Sequence, residues 1–286
     1  MRKISRKIGP TKILLISLLG VIIVGTFLLK LPICNNQQIE TIDSIFTATS
    51  ATCVTGLNTI VPIEQFTILG QVVLLLLIQI GGIGLMTLIS IVLISVGKKL
   101  NLSDKIIIKE SLNQDSFKGL VTLLQKICVY TFIVEAIGAC ILATRFIPNF
   151  GVGKGIWFSI FHSISAFCNA GFDLLGNESM MQYSGGWIVC LTLMSLIIIG
   201  GLGFTVWDDI VENIRNRKKF HQLTVHTKLV LLITAILLIS GMIIILFFEC
   251  NNEQTMKNDV WRNQNIKSSI SINNYENSRI LHYVTK

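Results

Sequence analysis

The feature that most constrains this chain is a motif written twice, 115 positions apart. Ser44-Ile45-Phe46, Ser50-Ala51, Cys53 and Gly56 recur as Ser159-Ile160-Phe161, Ser165-Ala166, Cys168 and Gly171. Each copy lies between long apolar segments and precedes a glycine cluster, Ile80-Gly81-Gly82-Ile83-Gly84 in the first and Ile199-Gly200-Gly201-Leu202-Gly203 in the second. The pattern predicts a unit of helix, re-entrant loop and helix. Such a loop puts backbone carbonyls at membrane depth, which is tolerated only where they are buried in protein or line a water-filled path. Taken singly, Gly56 or Gly171 reads as a turn glycine in an exposed loop, but the repetition with matching flanks points to an ion pore.

Composition places the chain in a bilayer. Of 286 residues 51% are hydrophobic and only 14% charged, with a mean hydropathy of +0.67, too apolar for an ordinary soluble domain. A helix crossing about 30 Å of hydrocarbon needs ~20 apolar residues. Runs near that length lie at 13–31, 67–97, 119–143, 187–207 and 227–248, predicting an all-α integral membrane fold with five spans. The first run follows basic residues as in a signal peptide. It is too long and has no Ala-x-Ala cleavage site after it, so a retained helix is expected.

The net charge of +8 does not indicate nucleic-acid binding, because the cations are distributed by topology. Arg2, Lys3, Arg6, Lys7 and Lys12 precede the first run. Lys98, Lys99, Lys105, Lys109 and Lys118 lie around the second connection, and Arg215, Arg217, Lys218, Lys219 and Lys228 around the fourth. The opposite connections carry only Lys30, Arg145 and Lys154. The positive-inside rule then predicts a multi-pass protein of the cell membrane with a cytoplasmic N-terminus and loops entering from outside. The organisation expected is a cytoplasmic segment 1–12, a first repeat 13–97, a cytoplasmic loop 98–118, a second repeat 119–207, a cytoplasmic loop 208–226, the first helix of a third repeat 227–249, and a tail 250–286. The basic stretch Arg215 to Lys219 reads first as a topology signal and second as a contact for acidic lipid or a cytosolic partner. Asp208, Asp209 and Glu212 would raise cation concentration at the inner mouth, or act as solvated loop carboxylates.

Other chemistries find little support. Seven cysteines without a Cys-x-x-Cys pair suggest neither a disulfide framework nor a zinc site, and His162, His221, His226 and His282 show no metal-ligand spacing. A membrane enzyme built on His162 lacks a partner carboxylate. Glu135 is the one obvious carboxylate well inside a run, weighed equally as a functional group and as a helix-packing hydrogen-bond partner. No cofactor is expected.

A dehydrating potassium ion needs oxygen ligands, which carbonyls of an extended strand supply, with glycine where an unusual φ is required. In the first loop Thr52, Cys53, Val54, Thr55 and Gly56 follow a pore helix expected over Ile42 to Ser50. In the second Cys168, Asn169, Ala170 and Gly171 follow one expected over Ile156 to Ser165. Each pore helix would aim its negative C-terminal end at the cation. Whether the side chains of Ser50 and Thr52 or their carbonyls face the path stays open at this level. The glycine clusters are read as close-packing sites or local helix breaks.

These residues resemble a known family. Thr47-Ala48-Thr49-Ser50-Ala51-Thr52-Cys53-Val54-Thr55-Gly56-Leu57 looks like the first pore loop of the Trk/Ktr/HKT potassium transporters. Phe161-His162-Ser163-Ile164-Ser165-Ala166-Phe167-Cys168-Asn169-Ala170-Gly171-Phe172 looks like the second, and Gly200-Gly201-Leu202-Gly203-Phe204 like the end of the second repeat. The resemblance is nearest to the bacterial Ktr-type membrane subunit and runs from about residue 10 to about 258. It implies four helix-loop-helix repeats around a pseudo-fourfold pore, with K⁺ as the transported ion, Na⁺ as a second candidate, and Na⁺-dependent uptake as one form of the activity. It also implies a homodimer in membrane lipid controlled by a cytosolic RCK-type nucleotide-binding subunit.

Two complete repeats and the first helix of a third, His226 to Glu249, match that pattern. Beyond Cys250 the composition turns polar and Asn- and Ser-rich. One coding of Ser271 to Ile280, read one base forward, gives Gln-Ser-Ile-Thr-Thr-Arg-Thr-Ala-Gly-Phe, which resembles the family's third pore loop. The expectation is a frame slip near Lys257 to Val260, leaving half a filter and, as alternatives, an inactive product or a scaffold for full-length subunits. Coding DNA with no pore-loop sequence in the shifted frame would remove it.

Overall fold

The computed structural model describes residues 10–84, 120–176, 179–183, 186–217 and 220–249. The expected loop 98–118, the end of the 67–97 run, most of segment 1–12 and the tail from 250 lie outside them. Every regular element among the described residues is helical, apart from one isolated antiparallel bridge between Asn35 and Phe66. The chain forms two compact units, residues 1–136 with 168–176 and residues 137–167 with 177–286.

The first unit contains α1 (Pro10–Lys30), α2 (Thr41–Cys53), the short α3 (Pro62–Gln65), α4 (Ile68–Ile83) and the first part of α5 (Leu120–Phe150). Helices α1, α2 and α4 pack mutually, and glycine sets the spacing. A Cβ on Gly25 would sit 2.8 Å from the Leu77 methyl groups, and one on Gly70 only 2.2 Å from the Cys34 carbonyl oxygen. Bilayer helices use such small residues because lipid gives no hydrophobic drive to associate. The α1–α2 connection is tied by side-chain amides. Asn35 Nδ2 donates to the carbonyls of Leu29 (2.6 Å) and Leu31 (3.0 Å), satisfying groups that a helix end leaves open, while Gln65 Nε2 donates to Asn35 Oδ1 at 3.1 Å.

The second unit holds the rest of α5, then α6 (Val152–Phe167), α7 (Trp187–Gly201), α8 (Phe204–Arg215) and α9 (Val225–Glu249). Gly138 of α5 lets Ser163 and Leu196 approach to 2.6 and 2.7 Å of where its Cβ would be. His162 is buried among the rings of Phe146, Phe158 and Phe161, its Nδ1 2.6 Å from the Phe158 carbonyl. It is a core histidine, as that aromatic setting dictates.

The 187–207 run is not one straight span. α7 ends at Gly201, Gly203 takes φ 86°, and α8 leaves at 101°. The glycine cluster is the physical cause, since positive φ is costly for other residues. The Trp207 indole N–H donates to the Ile199 carbonyl at 2.8 Å, satisfying a carbonyl at the broken end. Asp209 is not a free mouth carboxylate. It accepts from the Thr224 backbone N–H (3.0 Å) and hydroxyl (2.8 Å), and Thr224 in turn caps α9 by accepting from the Thr227 N–H at 3.3 Å.

By length and composition Gln125–Phe150 and Val225–Phe248 each suffice to cross a membrane, and the bent α7–α8 pair makes a third candidate. Leu15–Lys30 and Ile68–Ile83 are shorter apolar helices. Leu232, Leu237 and Phe247 of α9 are more than half exposed, the surface expected of a helix facing acyl chains.

Candidate functional site

The repeated motif recurs in backbone conformation as well as in sequence. In the first copy the pore helix is longer than expected, so Thr52 and Cys53 belong to the last turn of α2 and the non-helical segment starts at Val54. Val54 is left-handed, with φ 57° and ψ 44°. Its N–H donates to the Ala51 carbonyl and the Thr55 N–H to that of Ser50 at 2.9 Å, a Schellman-type helix stop. A β-branched residue there costs about 1–2 kcal/mol in backbone sterics, so Val54 is a strained point at the candidate site. In the second copy, after α6 ends at Phe167, Asn169 takes φ 58° at the matching position. Asparagine accepts that conformation more readily.

Two residues further on, Gly56 and Gly171 take φ 73° and 70°. They meet. A Cβ on Gly56 would lie 2.9 Å from the Ala170 carbonyl oxygen and 3.2 Å from Gly171 Cα, and one on Gly171 would lie 3.1 Å from Gly56 Cα. Both loops lie in the first unit, so two segments 115 residues apart converge backbone to backbone at their glycines. Ala170 is fully buried beneath this contact, and Cys168 is buried while Asn169 is exposed. In the first loop Cys53 and Thr55 are exposed.

Hydroxyl groups hold the first loop open. Ser50 Oγ, buried, accepts from the Leu57 N–H and the Thr55 hydroxyl, each at 2.9 Å. Thr52 Oγ1 donates back to the Ala48 carbonyl at 2.7 Å, so its side chain serves the helix. Among the described residues, no donor reaches the carbonyl oxygens of Val54, Thr55 or Gly56. Replacing Ser50 with alanine leaves the Leu57 N–H without its acceptor and releases the exposed Thr55 hydroxyl to solvent. The expected outcome is a loss of roughly 1–3 kcal/mol in stability, read as a lower unfolding midpoint in detergent.

The first glycine cluster backs both loops. A Cβ on Gly81 would fall 2.3 Å from the Thr52 carbonyl oxygen, and one on Gly82 2.4 Å from Cys168 Sγ. Gly84 then ends α4 with φ 87°, the counterpart of Gly203. Sequence reasoning missed Gln79, on the same helix. Its Nε2 donates to both carboxylate oxygens of buried Glu135, at 2.9 and 3.2 Å. The available signal was an amide, one of two with Gln71, in an otherwise apolar helix, three residues before Gly82.

The profile of the TrkH family, described as cation transport protein, matches residues 12–270. The chain belongs to the TrkH family. It is 39% identical to the potassium/sodium uptake protein NtpJ of Enterococcus hirae over 258 residues, 90% of this chain and 56% of that protein. It is 41% identical over 248 residues to the Ktr system potassium uptake protein B of Vibrio alginolyticus, covering 87% of this chain and 54% of that one. The Bacillus subtilis protein of the same name is 39% identical over 247 residues, 86% and 54% of the two chains. This TrkH-family chain therefore spans about half the length of the curated relatives it matches. It is a membrane protein of a transporter family, not an enzyme.

Proposed function

We propose that this chain is a membrane-spanning component of a potassium uptake system and that its two converging loops are half of a selectivity filter. The observation that carries the reading is the Gly56–Gly171 contact, in which paired backbones of two repeats meet with matched left-handed residues beside them. Carbonyl oxygens from Val54 to Gly56, with Cys168 to Gly171 opposite, would take the place of the ion's water shell. Thr52 and Cys53 contribute from the last turn of the pore helix, whose negative end favours a cation. Na⁺ is the second candidate ion, since one relative is named for both ions.

The organisation proposed is two complete helix-loop-helix repeats followed by the first helix of a third, with a cytoplasmic N-terminus and loops entered from outside. Relatives named for the Ktr system support assembly as a uptake complex. Within it we assign a second copy of the chain and a cytosolic RCK-type nucleotide-binding subunit as partners, in membrane lipid.

Rubidium uptake in cells stripped of their own potassium uptake tests the proposal, with the chain expressed alone and beside an RCK-type subunit. Saturable uptake competed by K⁺ supports it. Normal membrane insertion without uptake in either setting contradicts it and favours a scaffold.

A further inference from the structure

The first unit contains a polar cluster behind the second loop that the proposed filter does not itself use. Glu135 of α5 is buried at 4% exposure. Both its oxygens accept from the Gln79 amide N–H groups, at 2.9 and 3.2 Å. That fixes which end of the amide faces the other way. Gln79 Oε1 then accepts from the Cys168 thiol at 3.8 Å, a sulfur hydrogen bond. Three residues along the helix, Gly82 leaves room for the same cysteine, whose Sγ and Cβ lie 2.4 and 2.5 Å from where a side chain on Gly82 would begin.

We propose that Glu135 and Gln79 are positioning residues for the second filter loop: the carboxylate locks the glutamine amide, and the amide oxygen holds Cys168 against Gly82. The physical case rests on directionality. With both Glu135 oxygens accepting from its Nε2, the glutamine amide has one orientation, whereas an amide in place of Glu135 admits either. A buried amide with only one possible orientation presents its oxygen to the loop every time. Cys168 is one residue from left-handed Asn169 and three from Gly171, so its placement sets where the second loop meets Gly56. Hydrogen bonding is also worth keeping here because an unpaired polar group inside the bilayer costs several kcal/mol.

The inference rests on the proposed filter, and its test reads loop geometry without ion flux. The 286-residue chain is prepared in membranes with Cys168 as its only cysteine, and modification by N-ethylmaleimide is timed. Glu135→Gln and Gln79→Met are each expected to speed modification at least ~10-fold, since labelling follows the fraction of loops opened. The exchange Gln79→Glu with Glu135→Gln restores an acceptor facing a donor and is expected to return the rate close to the parent value. A parallel chain with only buried Cys190, in the second unit, reports general unfolding. Unchanged Cys168 rates in both single variants, an exchange as fast as the singles, or a rise that Cys190 shares in both singles would each overturn the brace. A chain that labels as expected but takes up no rubidium counts against the filter and leaves the brace standing.

Discussion

Replacing Gly56 with alanine is expected to cut rubidium uptake by ~10-fold or more while leaving the protein inserted in the membrane. Gly56 holds φ 73°, and its Cβ would stand 2.9 Å from the Ala170 carbonyl oxygen and 3.2 Å from Gly171 Cα. Two penalties therefore coincide. The left-handed conformation alone costs an L-residue about 1–2 kcal/mol, and ~1.4 kcal/mol is a factor of ten in a rate or an equilibrium. The contact partner is backbone, which cannot swing aside as a side chain would. Relief comes only by parting the two loops, and that separation displaces the carbonyl oxygens proposed to ligate the ion. Gly171→Ala meets one close atom, Gly56 Cα at 3.1 Å, and a somewhat smaller loss is expected. Gly20→Ala is the control: nothing lies within 4 Å of its Cβ, its helix gains propensity, and uptake should stay at the parent level.

The second large effect is expected at Gly81. This residue is helical, so a Cβ carries no conformational penalty, yet it would fall 2.3 Å from the Thr52 carbonyl oxygen and 2.8 Å from Val54 Cγ2. Overpacking of this kind costs ~1–3 kcal/mol. Because the obstacle is the last turn of the pore helix, Gly81→Ala should push α4 away from α2 and disturb the loop that begins at Val54. The expected result is a lower unfolding midpoint in detergent together with reduced uptake. Gly56→Ala, by contrast, should affect uptake more than the midpoint. If both variants lowered the midpoint equally, the distinction drawn here between a loop glycine and a packing glycine would fail.

Much of this was legible in the residues because the device is repeated. The internal match located Gly56 and Gly171. The family match spans both motifs, and the glycine clusters marked where packing or a break would occur. What sequence left open was three-dimensional. Ser50 and Thr52 look alike as small hydroxyl residues, but one holds Leu57 and Thr55 while the other returns its proton to Ala48. Periodicity also ran α7 on to 207, because Gly201-Leu202-Gly203-Phe204 is as apolar as a span interior; only the backbone at Gly203 reveals the 101° turn. The pairing of Gln79 with Glu135 crosses 56 residues, a separation at which hydropathy carries no information.

The most direct measurement is a crystal structure with thallium in place of potassium, read by its anomalous signal. The account predicts a peak beside the Gly56–Gly171 contact, ligated by carbonyl oxygens among Val54, Thr55 and Gly56 and near the Cys168 to Gly171 segment. Thallium bound elsewhere in the chain, with no peak within ligand distance of the Val54, Thr55 and Gly56 carbonyl oxygens, would contradict it.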